Sequence, residues 1–89
     1  MNATRDVQIV NPLGMHARPA AQLVKLASTF QCEITIARDG APVNAKSIMG
    51  VMMLAAEQGS TVQIAAVGAD AEAAVEAIAA LVSRGFGEM

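Results

Sequence analysis

The run Asn11-Pro12-Leu13-Gly14-Met15-His16-Ala17-Arg18-Pro19-Ala20 holds the chain's one histidine, with an arginine two residues on and a proline directly after that. Neutral imidazole is a competent nucleophile near pH 7, and this is the only one in the chain. Arg18 offers a planar fork of donors that suits phosphate oxygens. Pro19 fits only in the first turn of a helix, because further in it would delete a backbone hydrogen bond and clash with the preceding turn. The helix start is therefore pinned beside His16. Helix starts expose unpaired N–H groups and the positive end of the helix dipole, so an anion attached to or approaching the ring would be stabilised there. Gly14 lets the backbone bend close to the site. These residue types at this spacing suit a place where phosphate meets an imidazole. On position alone, though, a histidine near a helix start is more often an exposed loop residue or a cap than a nucleophile.

The surrounding pattern has to position that ring. Val7 and Ile9 alternate with Asp6 and Gln8 as in a half-buried strand, and the turn residues from Asn11 to Gly14 end it. From Ala17, the residues Ala20, Leu23/Val24, Ala27 and Phe30 recur at helical spacing, leaving Gln22, Lys25 and Ser28 toward solvent. Cys32, Ile34 and Ile36 alternate with Glu33 and Thr35. Asp39-Gly40 then predicts a two-residue hairpin into Ala41, Val43 and Ala45. Ser47 can cap a short apolar helix from Ile48 to about Leu54 by accepting from an orphan N–H. A strand with Val62, Ile64 and Ala66 on one side follows Gly59. Asp70 predicts the N-cap of a last helix with Ala74/Val75, Ile78 and Leu81/Val82 as its stripe, Arg84 favourable at the C-terminal dipole and Gly85 as its stop. The order β-α-β-β-α-β-α, with one apolar face per strand, predicts an α+β fold: three helices on one face of a four-stranded, mostly antiparallel sheet.

Composition bounds the rest. The 89 residues suit one domain, and 54% hydrophobic with a net charge of −2 excludes disorder. Nineteen of the apolar residues are alanine, so the core is small and layers can approach closely. One Cys and one His exclude an internal disulfide and disfavour a metal site, and Cys32 reads as a small buried hydrophobe. No cofactor is called for. Six scattered basic residues with two aromatics give no nucleic-acid footprint, and no apolar run suits a signal peptide or membrane span. Cytoplasmic residence is expected. The protein must act on something small or on another protein.

Leu13-Gly14-Met15-His16-Ala17-Arg18-Pro19-Ala20 resembles the active-site signature of the HPr family, the histidine-containing phosphocarriers of the bacterial phosphoenolpyruvate-dependent phosphotransferase system. Lys46-Ser47-Ile48-Met49-Gly50-Val51-Met52 resembles the regulatory-serine helix of the same family. Length, element order and the distance between the motifs agree, so the resemblance spans residues 1–89 as one domain. It implies an open-faced β-sandwich that works as a covalent carrier rather than a turnover enzyme. His16 would take phosphate from enzyme I through Nδ1 and pass it to IIA domains or proteins, with Arg18 steadying the phosphoryl charge. Such a carrier wants a partly exposed site with a few dipoles, since the bond must form and break readily.

Ser47 matches the second phosphorylation site, which HPr kinase/phosphorylase modifies from ATP in bacteria that have it. Serine at a helix start is mostly a cap, and both roles are compatible. Phosphate there would place about −1.5 to −2 charge near a surface that docks acidic partners. The resemblance also implies a docking face of Ala17, Arg18, Ala21, Lys25, Ile48, Met49 and Met52, with Met53 and Leu54 pointing inward. Methionine suits surfaces that fit several partners. A monomer is expected. The docking face has fewer lysines than the sugar-transport carriers of the family, and Ala17 stands where threonine also occurs. A nitrogen-type regulatory branch is therefore the alternative within the family. A non-catalytic interaction module that docks through the Met-rich helix, with His16 a mere cap, is the alternative outside it.

Overall fold

The computed structural model describes residues 1–88. Strand β1 (Asn2–Gln8) leads to helix α1 (Ala17–Ala27), the hairpin β2 (Glu33–Arg38) and β3 (Ala41–Asn44), and helix α2 (Ile48–Met52). Strand β4 (Thr61–Val67), helix α3 (Ala71–Ser83) and a single 3-10 turn (Gly85–Gly87) complete the order. The sheet runs β1-β4-β2-β3 with every pairing antiparallel. Asp39 and Gly40 both take positive φ, 55° and 79°, as the two-residue hairpin requires.

Alternation along the strands sorts the residues by face. Ile34, Ile36, Val62, Ile64 and Ala66 are buried beneath the helices. They meet Ala20, Leu23 and Ala27 from α1, Val51 from α2, and Ala71, Ala74, Val75, Ile78 and Val82 from α3 in one core. Alanines on α1 and α3 let the helices sit close to the sheet. The opposite face is open, with Asp6, Glu33 and Gln63 exposed. Register puts Arg5 opposite Ile64, hence on the helix-covered side, and its guanidinium reaches out to pair with Glu76 of α3.

Local expectations fail in several places. Met53 was expected inward yet is 77% exposed. α2 has little more than one turn, and its inward line is Val51 followed by Leu54; Met53 is two residues past Val51, about 200° round the helix. Asp70 occupies the N-cap position of α3 but makes no side-chain cap. Its carboxylate instead accepts from the backbone N–H of Gln31 at 2.9 Å and of Cys32 at 3.0 Å, tying α3 to the start of β2. The Gln31 N–H first, then the Cys32 thiol and N–H, hold its carboxyl below the usual range, while burial first and Asp70 second push the Cys32 thiol up. Phe30 lies beyond the end of α1, half-buried against the core. Ala45 falls just after β3, buried, with its N–H given to the Ile34 carbonyl at 3.0 Å.

Candidate functional site

His16 stands at the N-cap of α1 with extended backbone (φ −92°, ψ −170°), and its side chain does not cap the helix. Its carbonyl accepts the first helical bond from Ala20 at 3.0 Å. Proline has no N–H to give, so the first turn's unpaired donors reduce to the N–H groups of Ala17 and Arg18 among the described residues. Gly14 sets the approach. Its φ is +67°, and a Cβ there would stand 2.6 Å from the Ala56 carbonyl oxygen, the same oxygen that accepts from Met15 N–H at 2.8 Å. The loop before His16 is thereby stitched to the segment after α2.

The ring is held from the far end of the chain. Nε2 lies 3.0 Å from Oε2 and 3.3 Å from Oε1 of Glu88, a residue 72 positions away. Asn11, fully buried, donates through Nδ2 to the Gly14 carbonyl at 2.8 Å and to Glu88 Oε1 at 3.0 Å. Two acceptors at those distances require the amide NH2 on that side, which leaves Asn11 Oδ1 without a partner. Glu88 is delivered by the 3-10 turn, in which Gly85, Phe86 and Gly87 all take positive φ. Phe86 tolerates this strained backbone because its side chain is buried and anchors the turn.

His16, Arg18 and Glu88 border an open cleft of about 600 Å³, together with Pro12, Leu13, Gln22 and Phe86. The imidazole is 35% exposed, enough for a reagent to reach it. Arg18 is exposed and has no hydrogen-bond or ion-pair partner among the described residues, so its guanidinium is available to an incoming anion.

The other motif is closed on itself. Ser47 Oγ accepts from Gly50 N–H at 3.2 Å, the expected cap. Lys46 donates through Nζ to the Phe30 carbonyl at 2.7 Å, which commits its charge away from the serine. Ala17, Arg18, Ala21, Lys25, Ile48, Met49 and Met52 are all exposed, and so are Met53 and Leu13. Among the described residues no group of three or more His, Cys, Asp or Glu could hold a metal ion, and no helix is long and apolar enough to cross a membrane.

A family model described as the PTS HPr component phosphorylation site matches residues 3–84. The chain belongs to the HPr family. It is 50% identical over 84 residues to Phosphocarrier protein HPr of Cupriavidus necator, covering 94% of each chain. It is 45% identical over 89 residues to Phosphocarrier protein NPr of Proteus mirabilis, covering 99% of each. The solved HPr of Thermoanaerobacter tengcongensis superposes with a TM-score of 0.93 at 44% identity, covering 98% of both chains.

Two residues of the arrangement around His16 carry no signal in the sequence. Glu88 is one acidic residue after Gly85-Phe86-Gly87, and no spacing rule links it to His16. Asn11 reads as a turn former, and only the fold reveals it as a buried amide joining the loop to the terminus. Leu13 and Met53 enlarge the exposed apolar surface beyond the residues expected there, because a short helix and a turn cannot direct every apolar side chain inward.

Proposed function

We propose that this HPr-family protein carries phosphate on His16, accepting it from phosphorylated enzyme I and passing it to IIA domains or proteins. One observation carries the reading: the chain's only imidazole is part-exposed at an uncapped helix start, beside an unpaired Arg18. The N–H groups of Ala17 and Arg18 and the dipole favour a dianionic phosphoryl group next to the ring, while the guanidinium steadies it in transit. Few groups surround the phosphate, so the bond is not over-stabilised and can be handed on. The protein is then a covalent shuttle working with the catalysis of its partners, in the cytoplasm and as a monomer. Incubation with phosphoenolpyruvate and enzyme I should give an acid-labile, base-stable phosphate on wild type and none on His16→Ala. A phosphate retained by His16→Ala would overturn the reading.

Ser47 serves as the second, regulatory phosphorylation site, modified from ATP by a dedicated kinase. Phosphate there would add negative charge beside Ile48, Met49 and Met52, the exposed residues through which acidic partners dock. Mass spectrometry after exposure to ATP and HPr kinase/phosphorylase should show an acid-stable phosphoserine; an unchanged mass would rule it out. The nitrogen-type branch stands beside the sugar branch for a specific reason, since relatives named NPr match at 45% identity as well as relatives named HPr. Transfer rates to sugar-type and nitrogen-type IIA proteins, measured side by side, separate the two.

A further inference from the structure

We infer that Glu88 is a positioning residue for phosphoryl transfer: its carboxylate holds the proton of His16 on Nε2 and so keeps the reactive lone pair on Nδ1. The inference rests on His16 being the phosphate carrier. The geometry supplies the reason. A carboxylate is acceptor-only, so a ring nitrogen 3.0 Å from it must carry hydrogen in the neutral imidazole. The carboxylate cannot turn away freely, because Asn11 Nδ2 donates to Oε1 at 3.0 Å and Asn11 is itself fully buried and fixed to the Gly14 carbonyl. Phe86, buried two residues before, anchors the approach. Glu88 is thus held from two sides, and its own side chain is only 17% exposed. Of the charged groups that line the cleft with the ring, Glu88 meets Nε2, and Arg18 has no partner among the described residues.

The transfer balances with these groups alone. The Nδ1 lone pair attacks phosphorus, the bond from phosphorus to the donor partner's leaving atom breaks, and the donor keeps that electron pair. The ring becomes cationic with Nε2–H still in place, and the Glu88 carboxylate neutralises it. In the outward step the P–Nδ1 bond breaks and its electron pair returns to Nδ1, leaving neutral imidazole with its proton again on Nε2. Neither direction requires a proton to leave the ring, which suits a carrier that must work both ways at similar cost.

Two substitutions test this, read by 15N spectra of the ring and by single-turnover transfer from phosphorylated enzyme I. Wild type should show its proton on Nε2. Glu88→Ala should yield a mixture of tautomers and transfer about tenfold slower, the low end for removing a partner that orients a histidine. Glu88→Gln is the sharper variant. Its amide oxygen must accept from Asn11, which turns its own NH2 toward His16; Nε2 then becomes an acceptor and the proton moves to Nδ1, the nitrogen that must attack. The isosteric glutamine should therefore be slower than the truncation, an order that a packing role would not produce. An unchanged tautomer in Glu88→Ala, a rate within twofold of wild type, or a glutamine variant faster than the alanine variant would overturn the inference. Absence of labelling on wild-type His16 would instead overturn the phosphocarrier reading beneath it.

Discussion

Helices α1 and α2 begin with the two residues that the sequence marks for chemistry, and the two starts are built in opposite ways. At α2 the start closes on itself: Ser47 accepts from Gly50, three residues away, and Arg38 donates to the Leu54 and Ala55 carbonyls at the far end. At α1 nothing closes the start. His16 leaves the helix donors alone and turns its Nε2 to Glu88, 72 residues off. A closed cap stabilises a short helix that could not stand alone, and its hydroxyl is occupied in doing so. An open start leaves donors for a passing anion while the imidazole is oriented from elsewhere. The difference separates a helix start whose own hydroxyl satisfies a donor from one whose donors stay open to an anion.

Breaking the open start has the largest expected effect. His16→Ala should abolish acid-labile phosphate altogether while lowering stability by no more than about 1 kcal/mol, because a part-exposed hydrogen bond to a carboxylate is all the fold loses. Phosphate assay and urea denaturation on the same preparation would separate the two effects. Next comes Gly14→Ala. The new Cβ would stand 2.6 Å from backbone oxygen at a φ of +67°, so both overpacking and a left-handed alanine apply, together about 2–4 kcal/mol. Relief requires the Met15–Ala56 bond to shift, and the transfer rate should fall with it. A urea midpoint equal to wild type would mean that the loop is not fixed as described.

What the sequence made legible follows the same division. The Ser47 cap, the Asp39-Gly40 hairpin and the inward stripe of α3 all rest on residues within a turn or two of one another, so spacing suffices to read them. The sheet order β1-β4-β2-β3 is not a local property, and apolar alternation along each strand does not specify which strands become neighbours. His16 and Arg18 stood out because Pro19 pins the helix start. Their partners did not. Glu88 reaches His16 only because α3 returns across the sheet and Phe86 locks the end of the chain into the core, and Asn11 acquires its role only when Gly14 folds back to Ala56. Met53 was misread for a related reason: in a helix this short the inward direction is set by the core it meets rather than by its own periodicity.

The closed start gives a smaller effect. Ser47→Ala orphans the Gly50 N–H and should cost about 1 kcal/mol, seen as a lower urea midpoint with little change in slope. Ser47→Asp should restore the cap, since aspartate caps as well as serine, while adding charge near Met49 and Met52. Stability should recover while transfer from enzyme I slows. If both variants transfer at the wild-type rate, charge at this start has no influence on docking, and the contrast between the two starts is purely structural.

The third helix start gives the smallest effect and the finest test. Asp70 stands where a cap belongs, yet its carboxylate serves the N–H groups of Gln31 and Cys32, 39 and 38 residues earlier in the chain, and Glu72 supplies the acidic charge of the first turn. The Gln31 N–H first, then the Cys32 thiol and N–H, favour the charged form and hold the folded carboxyl below its ordinary value, with desolvation opposing them. As pH falls, the unfolded chain therefore binds its proton first, near pH 4, and the folded state follows only at lower pH. The contribution of Asp70 is complete above that point and disappears as pH drops through the folded value. Asp70→Asn removes the charge and leaves one acceptor for two donors, so it should be less stable than wild type at pH 7. The gap between the two urea midpoints should narrow steadily below about pH 4, as wild type protonates toward the variant. Parallel curves down to pH 2.5 would show that the carboxylate does not hold β2 to α3 through its charge; α3 would then begin, like α1, with a residue whose side chain looks elsewhere at no energetic gain.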